Sequence, residues 1–395
     1  MHPVRSLSGD GDARSTALAA PPTPRRQFLI VGLCMLLFIA YGSLVPLDFQ
    51  PLPLATASDR FLNVRYLDIS LKHREDFVAN ILLYIPVGLC LTAAFGGPRG
   101  EHRFLAGAVV LAIGTTAGTA IEFTQLFFPP RTVSMNDMVA NVVGTLIGIA
   151  LWWGSGRQLG GLIATMQRGG PRAIRALAVA YVLAYFTLSL FPFDFLMTLD
   201  ELRWKVDQGM YGLLVARSAC EGAVPCGLKL AAEVAAVLPL GLLLGSMWGR
   251  RVRGTRMRAL IIGSVLGAAI EFAQFFVVSG VSQGASIVTR GVGMAMGVAL
   301  MQALGDTERL HRWRLLLRPA VVLTVVPYLL VVLLLSGWHL GPWSVDATVW
   351  ERLAELRFVP FYYHYYTTES AALQSLLSVS TIFFPIGVAF WCWQV

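Results

Sequence analysis

Charge is scarce in this sequence. Asp, Glu, Lys and Arg make up only 14% of 395 residues, against about 25% in an ordinary soluble domain. Hydrophobic residues reach 56% and the mean hydropathy is +0.64, which excludes a soluble enzyme or a DNA-binding domain. Cysteine is scarce too: five residues are too few for a disulfide scaffold. No His-Glu-x-x-His, paired Cys-x-x-Cys, Asp-rich metal loop, Gly-x-Ser-x-Gly, Walker loop or dinucleotide fingerprint appears. No metal and no cofactor are therefore expected. The formal charge of +8 suggests a nucleic-acid partner in isolation, but in so apolar a chain basic residues set membrane topology. No nucleic-acid partner is expected; membrane lipids are.

What the chain has is long apolar runs. A membrane helix needs about 20 apolar residues, and ten stretches qualify: Phe28–Leu47, Phe77–Phe95, Phe104–Phe127, Met138–Trp153, Ile174–Phe191, Leu228–Trp248, Ala259–Val278, Ile287–Leu304, Ala320–Leu335 and Leu376–Trp393. The fold class is all-α, a polytopic transmembrane helical bundle. Residues 1–27 are rich in Pro, Ser, Gly and Ala and read as a disordered tail. Nineteen of the 31 basic residues, Arg99, Arg157 and Arg250 among them, gather at one set of helix ends and in the tail. The positive-inside rule makes that side cytoplasmic and puts both termini there, in a cell membrane. The opposite side carries three longer segments, 48–75, 192–227 and 336–375. Cys220 and Cys226 lie in the second of these, where an oxidising compartment permits a bond between them. The aromatic run Phe358–Tyr366 in the third reads as an interfacial anchor, with sugar stacking as the lesser alternative.

The chain also repeats itself. Ile81-Leu82-Leu83-Tyr84-Ile85-Pro86-Val87-Gly88 returns as Val234-Ala235-Ala236-Val237-Leu238-Pro239-Leu240-Gly241, and again around Pro385 and Gly387. Ile121-Glu122-Phe123-Thr124-Gln125 returns as Ile270-Glu271-Phe272-Ala273-Gln274. Ser134, Asp137, Asn141, Gly144 and Gly148 align with Ser282, Ser286, Arg290, Gly293 and Gly297. The division expected is a first unit at 28–154, a degenerate second at 174–304, and a partial third of two helices at 319–395.

The motifs Asn80…Pro86…Gly88, Ile121-Glu122…Gln125, Arg131 and Asp137…Asn141…Gly144 resemble those of the VanZ-like family of membrane proteins. That resemblance implies an envelope protein connected with resistance to the glycopeptide teicoplanin. It points to a cell-wall precursor or lipid-linked glycan as partner. Head-group chemistry on a phospholipid or polyprenyl phosphate is the alternative, as is a scaffold or transporter without catalysis.

A polar constellation accompanies the motif. Asp76 and Asn80 end one helix, Glu122 and Gln125 the next, with Arg131 and Ser134 in the following loop. Asp137 and Asn141 begin the fourth helix. The i,i+4 spacing of Asp76/Asn80 and of Asp137/Asn141 puts each pair on one helix face, so three helix ends converge on a pocket. Ionisable groups in membrane helices usually mark a site. Arg131 suits a planar anion. The second copy reads Glu233, Glu271, Gln274 and Arg290, with Ser286 for Asp137 and Gly280 for Arg131; it is expected to keep the scaffold and lose the activity. Because Asn80 and Asn141 change together into Glu233 and Arg290, the sequence predicts that Glu233 pairs with Arg290 and that Asn80 neighbours Asn141.

Overall fold

The computed structural model describes residues 25–66, 71–97, 99–129, 131–216, 223–248, 254–304, 307–335, 357, 359–367 and 369–393. Nearly all of the expected tail, residues 336–356 and Cys220 lie outside the described residues. The helices in chain order are α1 (Arg25–Leu44), α2 (Leu54–Leu62), α3 (Leu71–Phe95), α4 (Arg103–Gln125), α5 (Met135–Arg168), α6 (Gly170–Ser189), α7 (Leu199–Asp207), α8 (Ala223–Trp248), α9 (Thr255–Phe275), α10 (Gly284–Leu304), α11 (Thr307–Leu335), α12 (Tyr362–Tyr365) and α13 (Glu369–Trp393). Two short strands, β1 (Tyr211–Gly212) and β2 (Ser282–Gln283), pair in parallel.

Nine of the described helices, α1, α3–α6 and α8–α11, are long and apolar enough to cross a membrane. The tenth expected span falls in α13, whose shorter apolar run is Ser378–Gly387. Burial is inverted relative to a soluble protein. Leu37, Leu105, Val265 and Leu323 are exposed, whereas Glu122, Asn141, Glu271 and Arg290 are buried. Hydrocarbon outside a bundle favours this arrangement, since apolar side chains need no burial there and charges do.

α5 is far longer than the 138–153 stretch expected. Ser134 caps its start by accepting a hydrogen bond from the Asp137 backbone N–H. Isolated glycines cost a helix only about 1 kcal/mol each, and Gly154 and Gly156 do not stop it. It ends where Gly169 and Gly170 take φ of +70° and +81°, a turn that only glycine adopts freely.

α3 packs on α5 backbone to backbone. A Cβ on Gly144 would collide with the Ile81 carbonyl oxygen, one on Gly148 with that of Ile85, and one on Gly88 with that of Thr145. Both sequence numbers rise together along this contact, so the two helices run parallel. Small residues allow such approach where lipid offers no hydrophobic drive between helices. Around it Tyr84, Val87, Leu91, Val110 and Ile149 form a buried cluster.

The set α6, α8, α9 and α10 makes corresponding contacts. Gly293, Gly297 and Gly241 sit against the carbonyls of Val234, Leu238 and Met294. Val45–Pro46 and Phe191–Pro192 are both cis, followed by Leu47 and Phe193 at positive φ. Gln125 Nε2 donates to the Ser43 carbonyl at 3.0 Å, and Gln274 Nε2 to that of Ser189 at 2.7 Å. Gln50 N bonds Phe127 O just as Leu196 N bonds Phe276 O.

The segments between spans are more ordered than the sequence suggested. α7 is closed by a Thr198/Glu201 capping box. Glu201 also takes an ion pair from Arg74 of α3 at 3.1 Å, and Arg74 Nη1 donates to the Phe195 carbonyl. Arg74 thereby ties the first helix set to the second. Lys205, fully buried on α7, donates to the carbonyls of Gln274 and Val277 at the end of α9.

Gly148→Leu should lower stability by about 3 kcal/mol, read as a lower melting temperature in detergent, while Gly154→Ala, with open space around it, should raise stability by up to about 1 kcal/mol. The hydrogen bond from Arg74 holds the Glu201 carboxyl below its usual pKa. A lowered folded-state value means the tie contributes fully above the ordinary glutamate pKa of about 4.3 and is lost as pH falls through the lowered value. Glu201→Gln should therefore flatten the acid side of the melting-temperature profile and leave the slope near neutrality unchanged.

Candidate functional site

At the end of the bundle away from most arginines, α1, α3, α4 and α5 surround a cavity of about 530 Å³. Six expected residues line it: Asp76, Asn80, Glu122, Gln125, Arg131 and Asp137. Ser134 stands behind Asp137 and Asn141 lies deeper on α5, buried to 4% exposure. The cavity is also lined by His364 and Tyr365, two residues of the aromatic run that the sequence suggested chiefly as a membrane anchor. Tyr41 OH donates to the Pro360 carbonyl at 2.6 Å and the Arg131 guanidinium lies 4.4 Å above the Tyr365 ring. The segment before α13 thus folds over the cavity.

Each polar group has a defined environment. Asp137 receives hydrogen bonds from Asn80 Nδ2 at 2.8 Å and Ser134 Oγ at 2.7 Å. Arg131 Nη2 donates to the Gly42 carbonyl at 2.5 Å, and its Nε has no partner among the described residues. Burial draws the Arg131 guanidinium below the ordinary arginine pKa, opposed by Tyr365, Asp76 and Glu122. Glu122 is 4% exposed and accepts from the Ser134 backbone. Its Oε2, the Asn141 Oδ1 and the Tyr84 hydroxyl have no hydrogen-bond partner among the described residues. Gln125 spends its amide nitrogen closing the end of α1, a structural use that its counterpart Gln274 shares.

The expected ion pair of Glu233 with Arg290 does not form. Arg290 pairs with Glu271 at 2.5 Å and donates to Tyr185 OH at 3.0 Å. Glu233 instead accepts from Ser286 Oγ and Thr289 Oγ1, each at 2.7 Å. Asn80 meets Asp137, one helical turn before Asn141. The reason is helix rotation. Asn141 and Arg290 sit against Gly118 of α4 and Gly267 of α9, so they face the third helix of each set, while Asp137 and Ser286 face the second. The coordinated change is real, but the positions sit on different contacts of α5 and α10. In helix register the counterpart of Ser134 is Gln283, not Ser282: Gln283 N bonds Glu271 and its Nε2 bonds Ser286 Oγ.

The corresponding cavity of the second set is about 250 Å³. Arg290 links Glu271 and Tyr185, and Gln283 bonds Glu271 and Ser286, with Gln283 Oε1 left without a partner among the described residues. Cys226 at the start of α8 is disulfide-bonded, and Cys220, its expected partner, lies outside the described residues. Among the described residues no group of His, Cys, Asp or Glu is arranged to hold a metal ion.

Comparison with protein families finds the VanZ/LLP1 family over residues 28–157, the stretch that builds α1 to α5 and the larger cavity. This part of the chain is similar to that family. The protein is a multi-pass membrane protein with its VanZ-like segment at the front of the described helices. Comparison with curated proteins and with solved structures gives no significant match.

Tyr84 was not among the expected site residues; its place four residues after Asn80, on the same helix face, is the signal that marks it. Arg74, Lys205 and Tyr365 carried no local signal. Removing one partner of a buried ion pair typically costs about 3–5 kcal/mol, so Arg290→Leu alone should destabilise the protein on that scale. Arg290→Leu with Glu271→Gln should recover much of the loss, as a melting-temperature series in detergent will show.

Proposed function

We propose that the VanZ-like segment is an envelope recognition module of the cell membrane. Its termini are cytoplasmic, its cavity opens to the outer leaflet, and it binds or alters a cell-wall precursor or lipid-linked glycan, affecting sensitivity to a glycopeptide such as teicoplanin. The chain on this reading holds tandem four-helix units, the second kept as scaffold, with a two-helix third. The observation that carries the proposal is the concentration of family-motif residues on one polar cavity. Asn80, Glu122, Arg131 and Asp137 come from two helices, a loop and a helix start, yet line one space. It lies at the end opposite the clustered arginines, which the positive-inside rule assigns to the cytoplasm.

The site's chemistry favours recognition. Asp137 is held by two donors and Arg131 is anchored through Nη2 and Tyr365, so both are preorganised. The apolar wall formed by Phe38, Ile39 and Leu83 is matched to a lipid tail or isoprenoid entering beside α1.

Glu122→Gln, Arg131→Ala and Asp137→Asn, each introduced singly into a deletion strain, should reach normal membrane abundance. Each should fail to restore wild-type glycopeptide sensitivity and envelope lipid profile. Full restoration by all three would dismiss the cavity as a site, and loss of abundance in all three would make these residues structural only.

A further inference from the structure

The two cavities differ in charge. The larger is lined by Asp76, Glu122 and Asp137 against Arg131, three carboxylates to one guanidinium. The smaller is lined by Glu233 and Glu271 against Lys229 and Arg290, an even balance. The buried acid of the second set, Glu271, is ion-paired with Arg290, whereas the buried acid of the first, Glu122, has no ion pair among the described residues.

The deficit falls at one place. Glu122 is 4% exposed and its Oε2 has no donor; Asn141, also 4% exposed, has an unpartnered Oδ1; Tyr84, fully buried, has an unpartnered hydroxyl. A buried carboxylate oxygen without a donor costs the full desolvation of that atom. In the second set Arg290 replaces Asn141 and packs on Gly267 as Asn141 packs on Gly118. Its guanidinium pairs with Glu271, the counterpart of Glu122. The chain itself shows what satisfies this carboxylate: a cation with N–H donors. The first set keeps the acceptors and supplies no cation of its own at that position.

We propose that the VanZ-like cavity takes its ligand through a cationic N–H group, a primary ammonium or guanidinium, seated between Glu122 and Asn141 where Arg290 sits in the second set. This rests on reading the cavity as a ligand site and names the ligand's chemical class. Two sources carry that group to the outer leaflet, an amine-bearing lipid head group and a soluble amine.

The test uses the full chain in nanodiscs of phosphatidylglycerol alone, with melting temperature as the readout. Methylammonium, sodium and tetramethylammonium chlorides are compared at equal ionic strength. The expected result is a rise with methylammonium and none beyond the sodium baseline with tetramethylammonium, which has no N–H donor. Asn141→Arg should fold with an unchanged or higher melting temperature and weaken the methylammonium response about tenfold or more, a change of about 1.4 kcal/mol or more in binding. Should Asn141→Arg fail to fold, Glu122→Gln carries the same expectation. A second series exchanges phosphatidylethanolamine into the discs without added amine. A rise there, lost in the same variants, identifies the lipid head group as the source, and a rise with methylammonium alone identifies a soluble amine. Equal responses to all three cations, or responses that survive both substitutions, overturn the proposal. So does silence in both series. If Arg131→Ala and Asp137→Asn lose the envelope phenotype while the amine series is silent, the cavity stands as a site and the cation assignment alone fails.

Discussion

The backbone contact of α3 with α5 is the constraint on which the rest depends. Gly88, Gly144 and Gly148 leave no room for a Cβ, so the helices meet at their main chains and in a single register. That register brings Asn80 beside Asp137. It also turns Asn141, one turn further along α5, towards α4. A shift of either helix by one residue would rotate the polar groups out of the cavity. The glycines that are structural by themselves are thus what aligns the site.

Within this frame the two helix sets handle buried polarity differently. Both bury a glutamate at the end of their third long helix, and both tie that helix to the first through a glutamine side chain. α9 and α10 then satisfy the glutamate with Arg290 and the Gln283 backbone. α4 and α5 leave Glu122 Oε2 without a donor beside a cavity about twice as large. A buried ion pair offsets part of its own desolvation, whereas acceptors left unmatched beside a cavity carry that cost unrelieved. Arg74 joins the two sets, and the aromatic segment around α12 packs on the first. One pins α7 to α3, and the other places Tyr365 over Arg131.

The apolar runs made the spanning helices legible, because length and hydropathy suffice when lipid is the solvent. The convergence of Asp76, Asn80, Glu122, Arg131 and Asp137 was legible as well, from i,i+4 spacing and the position of each residue at a helix end. The partner of Arg290 was not: it is Glu271, where Glu233 was expected. Spacing places both on inward faces but does not say how far each helix is rotated, and that rotation is set by glycine contacts with two different neighbours. α2 and α7 were hidden for another reason: they are short, and α7 rests on a cap and on Arg74, a partner 127 residues away. Tyr365 lies far beyond the VanZ-like segment, so no local pattern connected it with Arg131.

The central claim is that Glu122 faces a ligand, not a partner within the chain. An experimental density map of the protein extracted with its native lipids tests this most directly. The account predicts non-protein density within hydrogen-bond distance of Glu122 Oε2, adjoining Asn141, and none at the corresponding place beside Glu271, where Arg290 sits. A Glu122 carboxyl closed onto Asn141 or Tyr84, with no added density and no cavity, would contradict it.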